Sequence, residues 1–372
     1  MLSFVDGETV TLKLSVTKRV STCRIKKIKG RLWLDYGFNR ELTAEVKAMQ
    51  GYQWHGYEDP PIKQWSIADC ARNRFQLAYL AGMNPYARYD GDHNNFPIGK
   101  TNRTPYKHQI EMTKFGLCRQ YCIIAGEMGV GKSLSAIEIM ELSGVKKWWW
   151  VAPKPGINAI RLELNKWHSS IYPQLYTYDA LKKVLNLWEP GQPPPQGVIF
   201  DECQKIKTPS SQRTQAARYL ADAIREHWGD KGYVILMSGS PSPKSPQDWW
   251  SLCEVACPGF IREGSLPQFT KRMAIVASED SIAGGKYTRV VGWKDSERRC
   301  SECGKFDNDH SLEMHQFIPC ENEVALLYQR MKGLVITKSK KDCLDLPEKI
   351  YREIKLRPTI STINAMKMIQ TS

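Results

Sequence analysis

Residues 121–140 read YCIIAGEMGVGKSLSAIEIM, and no other stretch narrows the possible folds as much. An apolar run leads directly into G-x-x-x-x-G-K-S, from Gly126 to Ser133. A helical pattern follows, with Leu134, Ile137 and Met140 at three-residue spacing and a stop at Ser143-Gly144. Runs apolar on both faces belong to parallel strands covered by helices on each side. Three more have this character: KWWWVAP (147–153), GVIFDE (197–202) and YVILMSG (233–239). They alternate with helical patterns, which predicts an α/β fold built on a parallel sheet with helices on both faces. Trp148, Trp149 and Trp150 lie inside one such run, so core packing is expected of them rather than base stacking.

The glycines of the loop let its backbone fold around phosphates, with amide groups of Gly129, Val130, Gly131, Lys132 and Ser133 turned inward. Lys132 would reach the β and γ phosphates of ATP, and the Ser133 hydroxyl would bind Mg²⁺. The second motif is VIFDECQK. Asp201 and Glu202 end an apolar run, at the strand tip where parallel sheets bind ligands. Adjacent acids are often no more than a solvated strand end. Behind an intact phosphate loop they read as a Mg²⁺ ligand, Asp201, and a base that orients and deprotonates water, Glu202.

The first eighty residues differ in pattern. ETVTLKLSVT (8–17) alternates apolar and polar residues as a half-buried strand does. KRVSTCRIKKIKGRLWLDYG suggests two strands turning near Lys29-Gly30. A short helix over 40–50 follows, then a strand pair around Asp59-Pro60-Pro61, then a helix from an Asp69 cap to Gly82. This ββαββα-like order predicts a small α+β domain over 1–83. Residues 84–103, rich in Asn, Gly, Asp and Pro, predict a linker to a larger unit over 104–350.

A formal charge of +14 and a pI near 9.2 favour a polyanionic partner, most commonly nucleic acid. Arg24, Lys26, Lys27, Lys29 and Arg31 concentrate part of that charge beside aromatic residues. A solubilising basic face is the plainer reading of the same cluster. No run approaches the roughly 18 apolar residues of a membrane span, and MLSFVDGETV lacks the features of a secretory signal. Eleven scattered cysteines fit a reducing compartment. A soluble cytoplasmic protein of bacterial or bacteriophage origin is expected, or a nuclear one in a eukaryote. CSECGKFDNDHSLEMHQFIPC contains a C-x2-C pair, Cys300 and Cys303, followed by His310, His315 and Cys320. Zn²⁺ takes four N or S ligands, and the two histidines are the favoured second half of a structural site; reduced thiols in a loop are the alternative.

Taken together, these motifs resemble the Swi/Snf branch of helicase superfamily two, through most of residues 102–350. GEMGVGKS resembles its first motif and DECQ its DEAH box, with Gln204 where the family usually has His. That exchange puts the polar coupling to the next motif in question. TPYKHQ (104–109) resembles the adenine-reading element, which implies Gln109 as the reader of the base edge. VAPK (151–154) resembles the motif that grips the DNA backbone, implying contacts from Pro153 and Lys154, and TYDAL (177–181) fits the next element. SGSP (238–241) resembles the third motif, implying a coupling role for Ser238, Gly239 and Ser240, with Ser240 where Thr is commoner. Asp248-Trp249-Trp250 occupies the place of an acidic-Leu-Trp stretch, and KSKKDCLDLPEK (338–349) resembles a basic segment closing the first lobe, with lysines for arginines. The helix over 41–50 followed by YQWHGYEDPPIKQWSI (52–67) resembles, more weakly, the HARP module of annealing helicases, which implies recognition of branched DNA. The basic cluster agrees and makes Lys26, Lys27 and Arg31 the expected DNA contacts.

The resemblance implies a RecA-like first ATPase lobe, with an insert at about 280–322. It also implies a DNA-dependent ATPase of the annealing or fork-remodelling kind acting on branched or forked duplex. Such motors close a second RecA-like lobe, which supplies an arginine finger, over the same ATP. Residues 351–372 are expected only to begin the connection to that lobe, which would come from a longer chain or from a partner. The chain alone is expected to be weak or inactive. Two other readings stay open: a nucleotide-binding nucleic-acid scaffold or inhibitor without turnover, and an RNA helicase.

Overall fold

The computed structural model describes residues 2, 4–16, 19–57, 60, 62–83, 105–188, 191–240, 245–261, 263–280, 286–294, 299–300, 317–318 and 322–343. Strands β1 (Thr9–Val16), β2 (Arg19–Ile28) and β3 (Arg31–Tyr36) precede helix α1 (Arg40–Ala48). Strands β4 (Gln53–Trp54) and β5 (Trp65–Ala68) and helix α2 (Ala71–Leu80) follow. The order is therefore βββαββα, the succession of strands and helices expected from the sequence. These strands form an antiparallel sheet in the order β1-β2-β3-β5-β4. Leu12, Leu14, Cys23, Ile25, Leu32, Leu34 and Ile67 alternate onto one face and are buried against Leu42 and Val46 of α1 and Leu77 and Leu80 of α2. Asn39 starts α1 by accepting hydrogen bonds from the amides of Glu41 and Leu42, and its own amide holds Ser21 Oγ at 2.8 Å. The opposite face carries Lys26, Trp33 and Ser66 in register, with the His55 ring stacked on Trp33 and 2.7 Å from the buried Ser66 Oγ.

The second unit begins with α3 (Lys107–Arg119) and β6 (Tyr121–Gly126). Its chain continues through α4 (Lys132–Leu142), β7 (Trp148–Ala152), α5 (Lys154–Lys166), β8 (Gln174–Thr177) and α6 (Tyr178–Asn186). Then come β9 (Gly197–Asp201), α7 (Gln212–Trp228), β10 (Tyr233–Ser238), α8 (Asp248–Ala256) and α9 (Leu266–Met273). An antiparallel ribbon, β11 (Ala274–Asp280) with β12 (Lys286–Trp293), leads to the two-residue strands β13 (Arg299–Cys300) and β14 (Phe317–Ile318). Helix α10 (Glu323–Arg330), strand β15 (Val335–Lys338) and the short helix α11 (Lys340–Cys343) complete the described chain.

Six strands form a wholly parallel sheet in the order β15-β6-β10-β9-β7-β8. Side chains on its strands alternate between two cores, which is why the runs read as apolar throughout. Cys122, Ile124, Trp148, Trp150, Ile199, Ile235 and Met237 pack with Met112 of α3, Ile137 and Met140 of α4, and Ile160 and Leu164 of α5. Ile123, Val151, Val198, Phe200, Val234 and Leu236 pack on the other face with Leu181, Leu220, Ile224 and Leu252 of α6, α7 and α8. Each such side chain contributes about 1.5–3 kcal/mol relative to exposure. This is the RecA-like α/β architecture. Trp148 and Trp150 are core residues as expected, while Trp149 is half-buried against Tyr176 and Trp188.

One polar staple ties α4 to the loop after α5. Buried Glu141 accepts hydrogen bonds from Ser169 Oγ at 2.8 Å, the Ser170 amide at 2.6 Å, Ser170 Oγ at 2.5 Å and the Ile171 amide at 3.1 Å. Burial disfavours the charge, yet these donors outweigh it and hold the carboxyl below its ordinary range. Glu141→Ala strands the buried amides and should cost about 2–3 kcal/mol in denaturant unfolding at neutral pH. A depressed folded-state value means this stability is present above the ordinary carboxyl range and lost as pH falls through the folded one. The gap between variant and wild type should therefore narrow in acid.

Candidate nucleotide site

Six strand tips point the same way, and the loops leaving them build one edge. The first is the phosphate loop between β6 and α4. Gly131 caps α4 at φ 82°, a left-handed conformation, and a Cβ there would lie 2.0 Å from Gln109 Nε2. Only glycine satisfies both demands. The loop is braced by α3: the His108 ring Nε2 lies 2.9 Å from the Val130 carbonyl, and Gln109 Nε2 lies 3.4 Å from it. Gln109 Oε1 accepts from the Tyr106 amide at 2.9 Å. Gln109 is thus buried under the loop with both ends of its amide engaged, so reading a base edge from there requires it to turn outward.

Lys132 donates from Nζ to the carbonyl oxygens of Gly126 at 2.6 Å and Glu127 at 3.2 Å. Burial lowers its pKa, and the Glu202 and Asp201 carboxylates oppose that only in part. Ser133 lies in the first turn of α4. Strand β10 alone separates β6 from β9, so the loop and the acid pair stand about 10 Å apart between strand axes. Met237 pairs with both Ile124 and Asp201, which puts the acids level with the start of the loop.

Asp201 is pushed up to about 6 by burial and then by Glu202, with Lys132 pulling the other way. Its carbonyl accepts from the buried Tyr178 hydroxyl at 2.7 Å. Glu202 leaves the strand at φ 49°, ψ 53°, a conformation that L residues seldom adopt. It is tied into a relay. The Ser240 amide donates to Ser238 Oγ at 3.0 Å, the Ser238 hydroxyl donates to Gln204 Oε1 at 2.6 Å, and Gln204 Nε2 donates to Glu202 Oε2 at 2.7 Å. The coupling questioned because Gln204 replaces His is therefore present. An amide joins the two elements as an imidazole would, because it offers one donor and one acceptor at opposite ends. A Cβ on Gly239 would lie 3.2 Å from Met128 Cγ, so this turn also rests on the phosphate loop.

Pro153 and exposed Lys154 follow β7 on the same edge. Asp248 holds Lys207 at 2.9 Å, and Ser251 Oγ donates to the Ile206 carbonyl at 2.8 Å, so α8 fixes the turn that follows the acids. In the N-terminal unit the basic residues divide. Lys26 is exposed, on the sheet face opposite the core. Lys27 falls on the core face beside Leu32 and pairs with Asp69 at 2.9 Å. Asp69 also pairs with Arg74, at 2.5 Å. Arg31 donates to Ser66 Oγ and to the Gly51 carbonyl, and Arg24 pairs with Asp35. Cys303, His310 and His315, like Cys320, lie outside the described residues; of the expected zinc set only Cys300 is placed, in β13, opposite Phe317. Among the described residues, no group of three or more His, Cys, Asp or Glu is arranged to hold a metal. Nor is any helix among them long and apolar enough to cross a membrane.

The fold is of the RecA-like α/β class. No family model matches the sequence, and no curated protein matches it either. Among solved structures, the chain is similar to the SWI2/SNF2 ATPase core of Sulfolobus solfataricus in complex with dsDNA. That match has 17% identity and a TM-score of 0.44, covering 66% of this chain and 48% of the other. It is also similar to the Hef helicase domain of Pyrococcus furiosus, with 16% identity and a TM-score of 0.33, covering 41% of this chain and 36% of the other. The chain thus spans about half the length of the first and about a third of the second.

Proposed function

We propose that this chain holds ATP at the edge described above and is the first lobe of a DNA-dependent ATPase of the Swi/Snf type, of the annealing or fork-remodelling kind. The observation that carries the reading is the relay Ser240–Ser238–Gln204–Glu202, which ends beside the phosphate loop. Lys132 takes the β and γ phosphates, and the amides from Gly129 to Ser133 line the cradle. Glu202 orients and deprotonates the attacking water, with Gln204 holding it in place. Ser238, Gly239 and Ser240 pass the state of that site to the neighbouring loop.

Ser133 and Asp201 fit Mg²⁺: both offer hard oxygen donors, and a carboxyl raised to about 6 by burial is one that a divalent cation would keep ionised. Bound there, the ion supplies neutralisation of charge on the β and γ oxygens. Residues 1–83 serve as a DNA-recognition unit, 84–103 as a linker and 104–350 as the ATPase lobe. A second lobe completes the motor.

The test is ATP hydrolysis with a second lobe supplied, comparing forked DNA, linear duplex and structured RNA. Stimulation greatest with forked DNA supports the proposal; stimulation by RNA alone, or by neither, overturns it. DNA contacts should fall on phosphates. Lys26→Ala and Lys154→Ala should each weaken duplex binding to a similar extent for every sequence and lower the slope of log K against log salt by about 1. An unchanged slope would remove that residue from the interface.

A further inference from the structure

Lys340 lies far from the phosphate loop in sequence and beside it in space. Strand β15 runs parallel to β6, with Lys338 opposite Gly126. The Glu127 amide donates to the Lys338 carbonyl at 2.9 Å, and the Lys340 amide donates to Glu127 Oε2 at 3.0 Å. The loop's second residue is thus bonded twice to the segment that follows β15. This brings the Lys340 side chain over Gly129: the position a Cβ would take there is 3.4 Å from Lys340 Cε and 3.8 Å from Nζ. Gly129 is exposed at φ 89°, so the ammonium stands on the open side of the cradle.

The neighbouring lysines are otherwise engaged. Lys338 forms an ion pair with Glu111, and Lys132 donates to the loop's own carbonyls. No acidic group is paired with Lys340 among the described residues. A polyphosphate in the cradle would present several negative charges to it, within reach of a flexible four-carbon side chain.

We infer that Lys340 is a second phosphate-binding cation of this site, so that a triphosphate ties the phosphate loop to the segment leaving the sheet after β15. This rests on the phosphate-loop reading. Its function is positioning: the ammonium neutralises and orients the polyphosphate, and breaks no bond.

The experiment is a titration of the full chain with a fluorescent N-methylanthraniloyl-ATP and Mg²⁺, in parallel with thermal unfolding with and without nucleotide. Lys340→Ala should weaken binding on the order of tenfold and reduce the nucleotide-induced rise in unfolding temperature. Lys340→Arg should restore most of the affinity, and Lys341→Ala, a neighbouring exposed charge, should leave it unchanged. Wild-type affinity in Lys340→Ala overturns the inference. Equal losses in the Ala and Arg variants, with lowered stability of the nucleotide-free protein, also overturn it, by assigning Lys340 a structural role only. Failure of the wild-type protein itself to bind nucleotide would instead overturn the phosphate-loop reading.

Discussion

Lys132→Ala is expected to abolish tight ATP binding while leaving the fold intact. The ammonium donates to the carbonyls of Gly126 and Glu127 and to no core side chain among the described residues, so its removal breaks no core hydrogen bond there. The unfolding midpoint should move little, by an amount equivalent to about 0.5 kcal/mol or less. With nucleotide present, the same ammonium makes charge-assisted hydrogen bonds to two phosphates in a half-buried place. Losing them should cost about 3–4 kcal/mol, or roughly a hundredfold to a thousandfold in Kd. Titration calorimetry with ATP and Mg²⁺ checks the first statement and denaturant melts the second. Unchanged affinity would remove the phosphate loop from the reading.

Glu202→Gln should separate binding from turnover. The new side chain keeps an oxygen to accept from Gln204, so the relay to Ser238 and Ser240 can persist. What disappears is the proton acceptor, and general-base catalysis contributes typically about 10²–10⁴ in rate. In an assembly with a second lobe, ATP affinity should stay within about twofold of wild type while single-turnover hydrolysis falls by that range. Normal hydrolysis would exclude Glu202 as the base. Affinity lost together with rate would show that the carboxylate mainly shapes the site.

Much of the central sheet was legible because β6, β7, β9 and β10 are buried on both faces and read as unbroken apolar runs. β8 and β15 were not, since QLYT and VITK are four-residue edge strands with mixed exposure. The same holds for the site. The phosphate loop and the acid pair each follow an apolar run directly, so their placement at the same edge of a parallel sheet could be anticipated. Gln204 looked like a weakness by residue type, and only the distances to Glu202 and Ser238 show that an amide spans the gap. Lys27 was grouped with Lys26 as a single basic cluster. Strand alternation separates them, because Lys27 shares a face with Cys23 and Ile25, and its charge meets Asp69. That signal was available in the period-two pattern. The nearness of Lys340 to Gly129 was not, because it depends on β15 joining the sheet next to β6 from two hundred residues away.

The strand between the two halves of the site acts as a spacer of fixed width. β10 is hydrogen-bonded to β6 on one side and to β9 on the other, so the distance from cradle to carboxylates is set by main-chain geometry. Exchanging side chains along that edge can change what is gripped but not how wide the grip is. A lobe built this way can be retuned in chemistry over many substitutions while its gauge stays constant.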